Sequence, residues 1–507
     1  MFKLYYLKIS KHKYLEDIDL HFVNEDEVAE PKSYTTLIIG PNGTGKSQIL
    51  SGIIEIFNYL AVLKNNAEYK KPFAFNFILK YFLNDIEYHF NCDSKQVNFF
   101  KNGIASNLYD IDLPTKFLAS AISLNDRFPH LREGSKNFND YYEYLGIRST
   151  PNSAYISYHI KKLIDGLSDS AKKLSTLPNI RILFEKLNLE PSFSITYKPG
   201  RRFSIKQENE YNIFNVIKSK KAFKQYYEDF INEMKSKRLD ERRLYKYQRL
   251  LNDDSKIDNA INFLQKHIHS FHVKYLYQIV INYNIDFRNQ STLQDFAIDA
   301  DVLNTLRELE ILTVKDLNLQ KLKTAFSFDK ASSGEYHLLT AFFGLISKLE
   351  DNSIILIDEP EISLHPNWQM QYIDVLNSVF ENFNGCHFII ASHSHFLVSD
   401  LKAKSSAILS LRRNNANKIT SENLSFDTEG WSAENILYTV FGLASTRNFY
   451  FEKDIKTVLS LISNNSDDII KIKEIYNRLK LFNILQDDPM AIVLNDVSNY
   501  IKAKDEA

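Results

Sequence analysis

Residues Phe326 to Pro360 read FSFDKASSGEYHLLTAFFGLISKLEDNSIILIDEP, and the order of features in this stretch sets the reading of the whole chain. Ser332, Gly334 and Glu335 open it with the composition of a helix N-terminus. An apolar segment at helical spacing follows. A second, unbroken apolar run from Ile354 to Ile357 then reads as a buried strand that stops on two acids, Asp358 and Glu359. In an α/β sheet the strand ends form the edge where ligands bind, so both carboxylates are expected at a site.

A second stretch explains what that site would hold. Gly40, Pro41, Asn42, Gly43, Thr44, Gly45, Lys46 and Ser47 spell GPNGTGKS, a fit to G-x-x-x-x-G-K-[ST], after the apolar strand TLII and before the helical stretch SQILSGIIEIFNYLAV. Glycines permit a tight loop whose backbone N–H groups face phosphates at the positive end of a helix. Lys46 is expected to reach the β and γ phosphates of ATP, and Ser47 to offer a hydroxyl to Mg²⁺. Asp358 is the candidate second metal ligand, through water, and Glu359 the candidate base for the attacking water. His393 follows another apolar run, CHFIIAS, where it can sense a γ-phosphate. His393 and His395 at i and i+2 also suggest a metal, but no third ligand cluster accompanies them.

Bulk properties narrow the setting. The 507 residues exceed one ordinary domain, and 44% hydrophobic with 25% charged residues is globular composition. No apolar run reaches the roughly 18 residues of a membrane span, so no membrane association is expected. The start, MFKLYYLKIS, lacks the apolar core of a secretory signal, and two cysteines, Cys92 and Cys386, cannot form a disulfide framework. A cytoplasmic location is expected. The net charge of −1 gives the chain no global attraction to nucleic acid, leaving any basic footprint local.

Periodicity suggests a mixed α/β domain with parallel core strands, interrupted by helices, and the P-loop makes it the head of an expected ATPase. Residues 1–205 are read as the N-terminal half of the head with the P-loop, ending in a hairpin at SFSITYKPGRRFSI, Ser192 to Ile205. Residues 206–325 are read as a helical insertion that includes LNTLRELEILTVKDL. Residues 326–430 would complete the head, and 431–507 form a helical region open to partner docking. In the last, GWSAENILYTVFG is either a docking element or a packed amphipathic helix with Trp431 and Phe441 as core.

A domain that already cradles a triphosphate needs no second anion site, so the helix N-terminus at Ser332 is expected to serve another nucleotide. The stretch ASSGE, Ala331 to Glu335, resembles the Leu-Ser-Gly-Gly-Gln signature of ABC-type ATPases, in which two heads sandwich ATP between the P-loop of one and the signature of the other. Ser332 and Gly334 match; Ala331, Ser333 and Glu335 depart from the motif. With Gly334 placed 24 residues before Asp358, and His393 after it, the order is that of ABC ATPases. The resemblance implies self-association around nucleotide. Asp358 to Gln369, DEPEISLHPNWQ, further resembles the AAA-like ABC ATPases of bacterial anti-phage defence, with His365 standing where transporters carry an aspartate. SAISLNDRFPH, YYEYLGIRS and TEGWSAENILYTVFG resemble their PtuA-type members from Septu and retron systems. That likeness implies an ATPase regulating a separate HNH nuclease, with a retron reverse transcriptase and its DNA as further partners in the retron version. A RecF- or SMC-like DNA clamp for repair or recombination is the alternative. Between Lys218 and Arg249 eleven basic residues stand against five acids, which suits either a phosphate backbone or a solvated helix face.

Overall fold

The computed structural model describes residues 1–24, 32–65, 72–93, 96–123, 125–129, 140–146, 156–200, 216–236, 241–269, 281–321, 324–402, 404–414, 416–424, 428, 430–441, 448–463, 468–482, 484 and 489–505. They form two compact units, Met1–Gly430 and Trp431–Ala507. Strands are numbered in chain order. A six-stranded antiparallel sheet contains β1 (Phe2–His12), β2 (Glu16–His21), β4 (Asn76–Leu83), β5 (Ile86–Cys92), β6 (Val97–Lys101) and β7 (Ile104–Ala105), in the order β2-β1-β4-β5-β6-β7. The central sheet contains β3 (Ser33–Ile39), β8 (Phe117–Ala121), β9 (Tyr142–Tyr144), β14 (Ile354–Asp358), β15 (Cys386–Ser392), β16 (Ser406–Arg413) and β17 (Ile419–Leu424).

The central order, β17-β16-β3-β15-β14-β8-β9, joins the two halves of the sequence, because β14 and β15 insert between β3 and β8. Its six strands from β16 to β9 are parallel and only the β16–β17 pair is antiparallel, giving the expected mixed α/β sheet with a parallel core. Every residue of β14 and β15 is buried, which is why both read as unbroken apolar runs. Parallel pairing requires crossovers; the helices Ser333–Lys348 and Pro366–Val379 precede β14 and β15 and supply them. Helix Lys46–Asn65 is apolar nearly all round. Its Ile53, Phe57 and Leu60 share one core with Phe2 and Tyr81 of the antiparallel sheet and with Phe117 and Leu356 of the central sheet.

The segment expected to be a helical insertion is not wholly helical. Helices Lys220–Ser236, Glu241–Leu251, Asp254–His269 and Gln290–Glu308 are present, but β11 (Ile281–Asp286) and β12 (Leu312–Lys321) pair antiparallel with either side of β10 (Glu190–Pro199), and β13 (Thr324–Ser327) completes that sheet. In LNTLRELEILTVKDL the helix stops at Glu308, Glu310 takes a φ of +59°, and the chain continues as a strand. Leu317 and Leu319 alternate inward there, so the two-residue period prevails over the helical one. The partners of β10 are thus remote in sequence, and the second arm of the expected hairpin, Arg201 to Ile205, lies outside the described residues.

The unit Trp431–Ala507 has its own core, with Phe451, Val458, Ile472, Leu479 and Val497 drawn from three helices. Trp431 and Phe441, core residues under the packed-helix reading, are half-buried; Ile436 and Val440 are the buried residues of that stretch. Among the described residues no helix is long and apolar enough to cross a membrane.

Candidate nucleotide site

β3 delivers the loop Gly40–Gly45 to the edge of the central sheet. Gly40 has φ +152°, and a Cβ there would stand 2.5 Å from the Leu411 carbonyl oxygen; one at Gly45, φ +87°, would stand 2.3 Å from Leu15 Cδ2. Both positions therefore require glycine. Lys46 opens the next helix almost fully buried, and its Nζ donates to the carbonyls of Gly40 at 2.7 Å and Pro41 at 3.4 Å. Arg413, at the end of the adjacent β16, holds the loop from outside by donating from Nη2 to the Gly43 carbonyl at 2.7 Å.

The acids arrive from β14. Asp358 is buried, accepts from the Ser47 hydroxyl at 3.1 Å, and is pushed up to about 7 by burial, with Glu359, Asp126 and Glu361 adding repulsion. A carboxylate so destabilised in a cluster of acids is a fitting place for a divalent cation, and the hard oxygens of Ser47 and Asp358 suit Mg²⁺. Glu359 keeps the ladder by donating its N–H to the Ala391 carbonyl at 2.9 Å, while a φ of +49° turns the chain at the strand end. Its carboxylate lies 3.3 Å from His393 Nε2, and His393 Nδ1 lies 3.2 Å from Lys46 Nζ. An ammonium can only donate, so Nδ1 accepts and Nε2 carries the proton toward Glu359. Burial, then the Lys46 charge, holds His393 below the usual histidine range, and burial lowers Lys46 to about 8 against the pull of the carboxylates. Lys46, Ser47, Asp358, Glu359 and His393, from three strand ends, thus meet in one network.

Glu361 was left without a role in the sequence, although it is the second glutamate of DEPE. It is half-buried, and its Oε1 accepts from the His393 N–H at 2.6 Å and from the Ser392 hydroxyl at 2.8 Å, fixing the turn that carries His393. Ser394 continues the link by donating to Gln369 Oε1 at 2.6 Å. Glu361→Ala would leave the buried Ser392 hydroxyl and the half-buried His393 N–H without their acceptor, at a cost of about 1–3 kcal/mol for the first and less for the second. Melting temperature and ATP turnover should both fall, with Glu361→Gln restoring much of each because an amide oxygen still accepts. Turnover equal to wild type in Glu361→Ala would deny it a part in positioning His393.

Ser332 and Gly334 stand outside this network among the described residues. Ser332 caps helix Ser333–Lys348: its Oγ accepts from Glu335 N–H at 3.3 Å while its own N–H donates to Glu335 Oε2 at 2.9 Å. Gly334 packs so closely on the loop after β14 that a Cβ would lie 3.0 Å from the Ser363 carbonyl oxygen. His365, set where transporters carry an aspartate, is itself a helix N-cap, accepting from Asn367 N–H at 3.4 Å. His395 joins no metal cluster, since none of three or more potential ligands occurs among the described residues. Lys220 and Lys224 of the basic stretch are paired with Asp254 and Asp258, which uses part of its charge within the helices. Lys237 and Arg238 lie outside the described residues.

The family model described as AAA ATPase domain matches residues 3–398, most of the chain. The chain belongs to that family. Among relatives of the AAA ATPase domain family, the retron Vc95 probable ATPase of Vibrio cholerae serotype O1 biovar El Tor is 22% identical over 399 residues, covering 74% of this chain and 68% of that protein. The Septu protein PtuA of Bacillus thuringiensis is 28% identical over 169 residues, covering 30% of this chain; the match spans only 41% of PtuA. A solved Smc head domain with an extended coiled coil, from Pyrococcus furiosus and bound to the C-terminal domain of ScpA, covers 84% of this chain and 97% of its own at 11% identity, with a TM-score of 0.32. The sheet order, rather than that score, carries the description of the fold. The expected likeness to defence ATPases is therefore met at the level of sequence.

Proposed function

We propose that the chain binds ATP with Mg²⁺ at the P-loop, hydrolyses it as a self-associating head, and thereby regulates an HNH nuclease in anti-phage defence of the Septu or retron type. The convergence of Lys46, Ser47, Asp358, Glu359 and His393 supports the chemistry most strongly. The relatives named Septu protein PtuA and retron Vc95 probable ATPase support the biological setting. Mg²⁺ bound between Ser47 and Asp358 would neutralise phosphate charge. Lys46 exchanges its loop carbonyls for phosphate oxygens, and Glu359, proton acceptor beside His393 Nε2, orients and deprotonates the attacking water. His393 stays neutral and reports on the γ-phosphate through the hydrogen bonds that tie it to Lys46 and Glu359.

Partner docking is assigned in this proposal to the unit Trp431–Ala507, which exposes Phe449, Tyr450, Ile470 and Leu481. Reverse transcriptase and its DNA join the assembly in a retron setting, and any nucleic-acid contact is made through the complex. Residues 1–430 supply the head with its insertion.

Lys46→Ala tests the foundation. Removing the ammonium deletes the charge that meets the β and γ phosphates and leaves the surrounding core intact, so calorimetry should show ATP binding lost or weakened by at least about 100-fold. Unchanged affinity in a protein of native melting temperature would refute the P-loop assignment. Co-expression with an HNH nuclease encoded beside the chain, followed by copurification that depends on residues 431–507, tests the partner.

A further inference from the structure

A cavity of about 720 Å³ lies away from the P-loop residues, walled by helices Ile156–Ala171, Glu241–Leu251 and Gln290–Glu308, by β12, and by the last turn of helix Ser333–Lys348. Its volume falls within the roughly 300–1,000 Å³ of small-molecule sites, yet its walls are far more charged than such sites usually are. Five lining residues are Lys or Arg and three are Asp or Glu. Each acid already has a cation: Asp165 receives Arg307, Glu308 receives Lys246 at 3.0 Å, and Asp169 receives Lys348 at 3.0 Å. By count alone the lining side chains keep a net positive charge.

Two observations show that the charge is not internally satisfied. Arg307, with only 10% of its side chain exposed, is held by Asp165 and by Asn304 at 2.6 Å, but its Nε has no hydrogen-bond partner among the described residues. Lys161, exposed to solvent, makes no ion pair among the described residues; desolvation and then the Lys246 charge hold it below the usual lysine range, against the pull of Asp165 and Glu308. A buried guanidinium with an unpartnered N–H, on the wall of a cavity whose rim also carries the exposed ammonium of Lys161, is an arrangement that an oxyanion satisfies and a cationic ligand does not.

We propose that this cavity binds a small phosphate-bearing ligand of nucleotide size, with Lys161, Lys246 and Arg307 facing its phosphates. The site is independent of the P-loop, and the chain so read carries a sensor for a phosphorylated small molecule in addition to its ATP site.

The test uses the full chain carrying Lys46→Ala, in which the P-loop no longer contributes, titrated calorimetrically with pyrophosphate and with ADP. One saturable site per chain should remain for at least one of them. Adding Lys161→Glu should weaken it by about tenfold or more, the usual scale for losing one charge-assisted contact. Lys161→Met, which removes the charge without reversing it, should give a smaller loss and guards against misfolding of the first variant; melting curves verify both. Absence of binding at millimolar probe, or affinity unchanged by both substitutions, would overturn the proposal. So would binding of a 5′-phosphorylated oligonucleotide in the absence of binding by either small probe. If Lys46→Ala leaves ATP affinity intact, the P-loop assignment fails alone, since the comparison with and without Lys161→Glu still reports on the cavity.

Discussion

Exchange of Glu359 for glutamine is expected to leave ATP bound and to slow its hydrolysis by about 10²- to 10⁴-fold, the range that a positioned general base supplies. The substitution is nearly isosteric, and its amide oxygen can still accept from His393 Nε2, now 3.3 Å from the carboxylate. The backbone turn at φ +49° and the bond to the Ala391 carbonyl are properties of the main chain and should survive. Asp358 keeps its hydrogen bond from Ser47, so cation and nucleotide affinity should change little. Single-turnover hydrolysis of labelled ATP separates the two effects, because binding and chemistry are then read in different phases. A rate near wild type would remove Glu359 from the role of base and leave the buried Asp358, already pushed up to about 7, as the next carboxylate to examine.

Ser332→Arg is the second large effect. If the helix N-terminus at Ser332 and Gly334 meets a nucleotide held by another copy, a bulky side chain there should abolish hydrolysis while one head still binds ATP through its own P-loop. Loss of the cap alone costs about 0.5–2 kcal/mol, so the variant should fold with a modestly lowered melting temperature. The local hydrogen bonds of Ser332 to Glu335 account for a cap but set no requirement on ATP turnover. Full activity in the folded variant would reduce the stretch to that structural role.

The parts of the head that could be read from sequence are those whose meaning is local. GPNGTGKS states its own conformation, since the φ of +152° and +87° at Gly40 and Gly45 calls for glycine, and the apolar runs ending at Asp358 and Ser392 declare buried parallel strands by composition. Contacts made between distant segments were not legible. Arg413 reaches Gly43 only because β16 pairs with β3, and no periodicity near Arg413 reveals that neighbour. Glu361 was visible as a letter, but its task depends on the end of β15 lying beside the turn after β14. β10 likewise pairs with strands that follow it by some ninety and more residues, so the alternation in Leu312–Lys321 lay hidden behind a helical run that shares its leucines. The charged cavity is a stronger case: Lys161, Lys246 and Arg307 come from three helices, and only packing shows that they face a common space.

Mixing the two dead variants tests the shared nucleotide site most directly. Lys46→Ala and Ser332→Arg proteins should each be inactive alone. If donors from two chains flank each γ-phosphate, as proposed, both lesions fall in one composite site of a mixed pair, leaving the other with an intact P-loop, Glu359 and Ser332 helix. ATPase activity should therefore return in part when the two are combined, and a fused pair carrying both lesions in the same arrangement should show it without exchange. Background activity in that fused pair, with each head folded and a single-lesion fusion active, would contradict the shared site and place the Ser332 helix in the service of its own chain.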